Sequence, residues 1–151
     1  MGIFIFLYRK IPLLKRFSVS SKMKRKIVHV ALIIHDYDEA IQFYTEKLDF
    51  LLIEDTVLSS EKRWVLIKPD KDSDCSILLA KANNEEQKLN VGNQTGGRVF
   101  LFLETDNFQR DYDKMLEKGI NFIRKPIQGS YGTVAVFEDL YGNLWDLIEY
   151  L

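Results

Sequence analysis

The sequence shows the same order of structural signals twice, at a spacing of about 70 residues. The first copy begins with the apolar run 28–34, which is rich in β-branched residues and leads to Asp36. The second copy begins with the run 98–103 and leads to Asp106. An apolar run of this length predicts a buried strand, and an aspartate just after it predicts the start of a helix. The chain is therefore predicted to contain two modules with the same plan.

Each predicted helix is followed by three further strands, so each module has the order βαβββ and the fold class is α+β. Module 1 spans 27–82, a polar linker that contains three glycines spans 83–97, and module 2 spans 98–151. One such module has a curved open sheet that cannot bury both faces alone. Two tandem modules within the single domain 27–151 are therefore predicted to enclose a cup-shaped cavity. The strands after the helices are predicted at 50–57, 63–67 and 76–80 in module 1, and at 120–124, 133–138 and 144–150 in module 2.

The helices carry signals at both ends. Tyr37 to Leu48 has apolar residues at helical spacing, and Asp49 stands where a left-handed residue would end the helix. The second helix is predicted to open at Asp106 and to stop at Gly119. In the linker, 85–89 is predicted to form a helical turn.

Charge is distributed unevenly. The first 26 residues carry eight Lys or Arg and no acid, which leaves 13 basic against 22 acidic residues in 27–151. An acidic body repels phosphate backbones, so nucleic-acid binding is not expected. The single Cys75 excludes an intrachain disulfide and fits a reducing, cytoplasmic location.

The extension 1–26 is basic and apolar and lies outside the predicted domain. The apolar stretch 2–8 is far shorter than the roughly 20 residues that a membrane-spanning helix needs, so no integral membrane segment is predicted. Two interpretations remain for the residues before Met23. They form a membrane-surface segment, or Met23 is the physiological start and the upstream stretch is an over-long gene prediction, which we favour.

Two sequence motifs resemble those of the vicinal-oxygen-chelate superfamily, which includes glyoxalase I, extradiol dioxygenases and bleomycin-binding proteins. The first is an Asp-capped helix that reaches Phe43-Tyr44 and Leu48 after the strand with His29. The second is the segment 138–147, with the pattern EDxxGNxxxL. The linker string 92–98 is similar to a glyoxalase-like subgroup of unknown reaction. The resemblance covers about 27–151 and implies the paired-module fold described above.

Metal-dependent members of that superfamily hold one divalent ion (Zn, Ni, Mn or Fe) with four strand residues, two from each module. Carried over to this chain, the four positions fall on His29, Leu78, Phe100 and Asp146. Leu78 and Phe100 cannot bind a metal, and catalytic sites of this kind normally need three protein ligands. The resemblance therefore implies a cup without a full metal site and no cofactor. A divalent metal on His29 and Asp146 is the alternative.

His29 is the candidate catalytic residue, as a metal ligand or as a general base. In the alternative interpretation, it is a neutral imidazole hydrogen-bonded to Asp146 or to a backbone carbonyl. The superfamily places both positions at one centre, so a contact between His29 and Asp146 is expected. Asp146 lies among apolar strand residues and would be costly to bury without a partner.

Further candidates for ligand contact are aromatic or polar. Strand alternation predicts that Phe100, Phe102 and Glu104 point to one face, toward the cup. Arg98 follows two glycines and is a candidate contact for an anion, whereas single aromatic residues on strands more often belong to the core. The full set of candidate ligand-binding residues is Trp64, Gln94, Arg98, Phe100, Phe102, Tyr131 and Asp146.

Three functions follow as hypotheses. The first is a glyoxalase-like, homodimeric protein that binds a small, partly aromatic or amphipathic molecule in its cup. The second is a metal-dependent lyase or isomerase of the glyoxalase I type, or an extradiol dioxygenase, that uses His29 and Asp146. The third is an enzyme without metal in which His29 is the base.

Overall fold

A computed structural model describes residues 25–151, and the predictions for residues 1–24 lie outside this range. The described chain contains eight strands, three α-helices and one π-helical turn. No helix within 25–151 is long and apolar enough to cross a membrane. The elements are β1 (His29–Ile34), α1 (Tyr37–Gln42), the π-helical turn (Phe43–Lys47), β2 (Leu51–Val57), β3 (Arg63–Lys68), β4 (Ser76–Lys81), α2 (Glu85–Asn90), β5 (Val99–Glu104), α3 (Phe108–Glu117), β6 (Phe122–Gly129), β7 (Gly132–Glu138) and β8 (Leu144–Tyr150).

The strands form two four-stranded sheets with the same topology. Their orders are β1-β4-β3-β2 and β5-β8-β7-β6. In each sheet the first strand of the module pairs in parallel with the last, and the other pairs are antiparallel. The predicted α+β fold of two tandem βαβββ modules is thus confirmed.

The helix starts follow the capping rules, with one correction. The Asp36 side chain accepts hydrogen bonds from the backbone N–H groups of Asp38 and Glu39, as expected for an N-cap. The helix of module 2, which is α3, was predicted to open at Asp106, and this is wrong by one residue. Asn107 caps it by accepting from the N–H of Arg110. Asparagine caps helices as well as aspartate does, so local geometry decided between the two neighbours.

The first helix does not end as a regular α-helix. Its last turn, Phe43–Lys47, widens into a π-helical turn, which the periodicity of the sequence did not predict. Asp49 follows with a φ of 58°, in the left-handed conformation expected at that position. Its carboxylate forms salt bridges with Lys114 and Lys118 of module 2, at 3.0 and 2.6 Å.

Both sheets turn one face toward a shared hydrophobic core. In module 1 this face carries Leu32 and Ile34 of β1, and in module 2 it carries Trp145 and Leu147 of β8. The helices contribute buried side chains to the same core. Since the two sheets meet through these faces, their opposite faces lie on the outside of the molecule.

A buried carboxylate joins the two modules. Asp139 is 5% exposed and accepts hydrogen bonds from the Tyr44 hydroxyl at 2.7 Å, the Asn143 amide at 2.9 Å and the Trp145 indole N–H at 3.2 Å. It also accepts from the backbone N–H groups of Tyr141 and Asn143. Burial and the nearby Asp139 charge raise the pKa of Tyr44 well above its usual value, so this phenol remains a donor. Both motifs used for the resemblance therefore contribute to this contact between modules.

Candidate functional site

The outward faces of the two sheets are the candidate binding surfaces. We call them the module 1 face and the module 2 face. The module 1 face carries His29, Ala31, Ile33, Trp64, Leu66, Leu78 and Ala80, on β1, β3 and β4. The module 2 face carries Phe102, Glu104, Arg124, Ile127, Val134, Val136, Asp146 and Ile148, on all four strands of the second sheet.

The module 1 face brings a histidine and a tryptophan together. The rings of His29 and Trp64 meet edge to face, with centroids 5.9 Å apart and an angle of 81°. Trp64 and Leu78 line a cavity of about 420 Å³, and its charged lining residues are Glu61, Lys62, Arg63 and Lys81. The cavity thus combines apolar and aromatic side chains with charged ones, which suits a flat ligand with a polar edge.

On the module 2 face, one row of residues crosses the whole sheet. The register places Arg124 opposite Val136, Val136 opposite Asp146, and Asp146 opposite Phe102. Neighbouring strands are about 4.8 Å apart, so a long arginine side chain can extend over the valine toward the carboxylate. Arg98, Phe102, Arg124 and Asp146 line a cavity of about 330 Å³.

Partial burial raises the pKa of Asp146, and the positive charge of Arg124 counteracts this only in part. Across residues 25–151, the Asp146 carboxylate forms no salt bridge and no hydrogen bond. A half-buried carboxylate without a partner is a polar feature that a ligand can use.

His29 and Asp146 lie on different faces in one chain. No hydrogen bond or salt bridge joins them in the described part of the chain, and they do not line a common cavity. The expected contact is therefore absent from the single chain, because the two sheets pack together through the faces that do not carry His29 and Asp146. One chain therefore has a separate cavity on each face.

The residues of one chain do not fit a three-ligand metal site. Between Arg25 and Leu151, no group of three or more His, Cys, Asp or Glu side chains is placed to hold an ion. At the other two family positions, Leu78 lines the module 1 cavity and Phe100 packs against the hydrophobic core. Neither side chain has a donor atom, so neither position can contribute a metal ligand.

Phe100 does not share a face with Phe102 and Glu104 as predicted. The register of β5 against β8 shifts between Val99 and Leu101, and Phe100 lies within this irregularity. Such a bulge breaks the alternation of side chains along a strand. Phe102 and Glu104 pair with Asp146 and Ile148 and do lie on the module 2 face.

Gln94 is tied to the backbone of β1. Its side-chain oxygen accepts from the N–H of Ile33 at 2.9 Å, and its side-chain NH₂ donates to the carbonyl of Ala31 at 2.8 Å. The amide therefore completes the open edge of β1, a role that the sequence did not indicate.

The remaining predicted residues differ in their surroundings. Tyr131 lies in the turn between β6 and β7, about half exposed, and Arg98 lies at the entry to β5. Arg63 is bound to Asp38 and Asp55 and is therefore engaged. Arg124 was not predicted, because only the register of β6 with β7 and β8 brings it to Asp146.

A sequence model described as Glyoxalase/Bleomycin resistance protein/Dioxygenase superfamily matches residues 26–147. The chain belongs to this superfamily. It is 59% identical over 128 residues to an uncharacterised protein of Shewanella frigidimarina, covering 84% of this chain and 95% of that one.

Two solved structures are also similar. UcmS2 superimposes with a TM-score of 0.73 at 28% identity, covering 83% of this chain and 98% of the other. TnmS3, an antibiotic binding protein from Streptomyces sp. CB03234, superimposes with a TM-score of 0.71 at 24% identity, covering 85% and 98%. These likenesses agree with the observed arrangement of two modules.

Proposed function

We propose that this protein binds a small, partly aromatic or amphipathic molecule on its outward sheet faces, without a full metal site. The observation that carries the proposal is the pair of cavities, each with an aromatic side chain beside charged groups. Small-molecule sites are typically concave and apolar with a few placed polar groups. The similar structure TnmS3 is described as an antibiotic binding protein, which supports the same class of function.

We further propose that two copies of the chain complete the cup as a homodimer. The two faces of one chain are turned outward from a shared core, so they cannot close over one ligand. The module 2 face leaves Phe102 63% exposed and Ile127 60% exposed, which is unusual for large apolar side chains beside a cavity. A second copy that set its module 1 face against this surface would cover them and would bring its own His29 toward Asp146.

A metal-dependent lyase, isomerase or dioxygenase is the second candidate. It is favoured by the superfamily description, which includes glyoxalases and dioxygenases, and by the family positions occupied by His29 and Asp146. In a shared cup these two residues would come from different chains. The other two family positions, Leu78 and Phe100, would still contribute no ligand.

The test measures metal content, thermal shifts and oligomeric state together. Protein purified without chelators is analysed for metal and titrated with Zn, Ni, Mn and ferrous ions. Wild type is compared with His29→Ala and with His35→Ala, a matched control whose imidazole packs edge-on against Tyr141. The proposal expects no stoichiometric metal and no metal shift that depends on His29.

The outcomes separate the two candidates. Stoichiometric metal that is lost in His29→Ala but kept in His35→Ala would favour the enzyme and would overturn the metal-free proposal. Light scattering after size exclusion should give about twice the mass of one chain, 17.7 kDa. A monomer at micromolar concentration would refute the shared cup.

A further inference from the structure

The 330 Å³ cavity of module 2 is lined by two arginines that form no salt bridge with any residue of 25–151. Arg63 and Arg110 are held in salt bridges. Arg98 and Arg124, by contrast, form no salt bridge with any residue of 25–151, although the charge of Arg124 acts on Asp146. Guanidinium groups bind carboxylates with two parallel hydrogen bonds, so a pair of arginines that are not held by a salt bridge is suited to an acidic group on a ligand.

The charge inside this cavity is one positive unit. Its titratable lining consists of Arg98, Arg124 and Asp146. Asp146 lies between Arg124 and Phe102 in the row across the sheet, so it can attract the Arg124 side chain while Arg98 faces it from the entry to β5. One negative group on a ligand would neutralise the cavity, whereas a cationic group would have only one carboxylate to offset two guanidiniums.

Apolar surface lies directly beside this charged row. Phe102 closes one end of the row and is 63% exposed. The adjacent row across the sheet contains Ile127, Val134 and Ile148, paired in register. A ring bound there would stack on Phe102 or cover the aliphatic row while its substituent reached the arginines.

From this arrangement we infer that the module 2 face binds an aromatic monoanion, with its carboxylate on Arg98 and Arg124 and its ring against Phe102. The inference rests on the proposed binding function and names the ligand class of the same site. Asp146 opposes binding in this arrangement, because its own charge repels the ligand carboxylate.

The experiment uses three probes with the same ring system and different charge. Titration calorimetry on the full chain compares 2-naphthoate, neutral 2-naphthamide and cationic 2-naphthylmethylamine. Naphthoate should bind about ten times more tightly than the other two, since hydrogen bonds to a charged group are stronger than those to a neutral one and a tenfold difference needs only about 1.4 kcal/mol.

The variants assign the effect to the two arginines. Arg98→Gln and Arg124→Gln should each weaken naphthoate about tenfold and leave naphthamide unchanged. Arg110→Gln is the matched control, an exposed arginine on α3 that is paired with Asp106 and Asp111, and it should change neither affinity. Asp146→Asn should tighten naphthoate, because it removes the opposing charge.

Each remaining outcome overturns the inference in a different way. Equal affinity for naphthoate and naphthamide, unaffected by either arginine variant, would retain the binding function and refute the anion site. Tightest binding of the amine, lost in Asp146→Asn, would show a cation site instead. If none of the three probes binds, the aromatic-anion site is refuted, whereas the proposed function is still decided by the metal and oligomeric-state measurements described above. Unchanged melting temperatures of the variants exclude unfolding as the cause of any loss.

Discussion

Removal of the Tyr44 hydroxyl should cost a measurable part of the stability of the whole domain. This hydroxyl donates a 2.7 Å hydrogen bond to the buried Asp139, and Tyr44 itself is fully buried. A hydrogen bond to a charged group contributes about 1.5–3 kcal/mol, and Tyr44→Phe leaves the carboxylate with one donor fewer in a low-dielectric site. The free energy of unfolding should fall by this amount, which is about a 10- to 100-fold change in the folding equilibrium.

Urea denaturation followed by circular dichroism measures the loss. With an m value of about 2 kcal/mol per M, the midpoint should fall by about 1 M at unchanged m. Tyr112→Phe is the matched control, because Tyr112 packs its ring against Phe108 and Phe122 while its hydroxyl has no hydrogen bond within 25–151. That variant should stay within about 0.5 kcal/mol of wild type. Equal losses in the two variants would refute the role of Asp139 in joining the modules.

The same contact predicts a pH dependence. Because burial raises the pKa of Tyr44 in the folded state, the folded chain keeps this proton where the unfolded chain loses it. Wild-type stability should therefore decline as the pH rises above about 10, the ordinary pKa of tyrosine, more steeply than that of Tyr44→Phe. Parallel curves above pH 10 would contradict the raised pKa.

Three further predictions concern single residues. Gln94→Ala should lower stability by about 1–3 kcal/mol in urea melts, because it frees two backbone groups of β1, while Gln128→Ala should have little effect. Asp146→Asn should stabilise the protein at pH 7, because partial burial disfavours the charged carboxylate and raises its pKa. Below about pH 4 the carboxyl is neutral in the folded and unfolded chain, so the gain should vanish there, and a gain that persists at pH 3 would disprove this cause. Gly132→Ala should destabilise strongly in thermal melts, because its Cβ would lie 2.0 Å from the carbonyl oxygen of Glu149 and its φ is +142°; a melting temperature close to wild type would be incompatible with this packing.

Much of the fold could be predicted because the signals are local. Strand and helix positions depend on periodicity over a few residues, and the Asp36 cap and the positive φ of Asp49 depend on local backbone geometry. The failures were local as well. The N-cap of α3 is Asn107 and not Asp106, and the register of β5 shifts at Phe100. Each difference arises from the backbone conformation of a single residue.

The candidate site could be predicted only in part. The resemblance pointed to His29 and Asp146, and Trp64 was a candidate because of its aromatic side chain; all three lie on outward sheet faces. The sequence did not indicate Arg124 as a site residue. It lies on β6 and Asp146 lies on β8, so the two share a row only because of the register of both strands with β7 between them. Gln94 was predicted to contact a ligand, yet its amide bonds to backbone groups more than 60 residues away.

The sequence by itself determined the two-module plan, which follows from residue types and their spacing. The resemblance to the superfamily added the four positions carried over from its metal-dependent members, two of which have no donor atom in this chain. Only the tertiary structure decided that the modules meet through a common core and the Tyr44–Asp139 contact, 95 residues apart in the chain. That packing turns the two sheet faces outward and separates His29 from Asp146, because a long-range contact depends on how whole sheets pack and not on neighbouring residues.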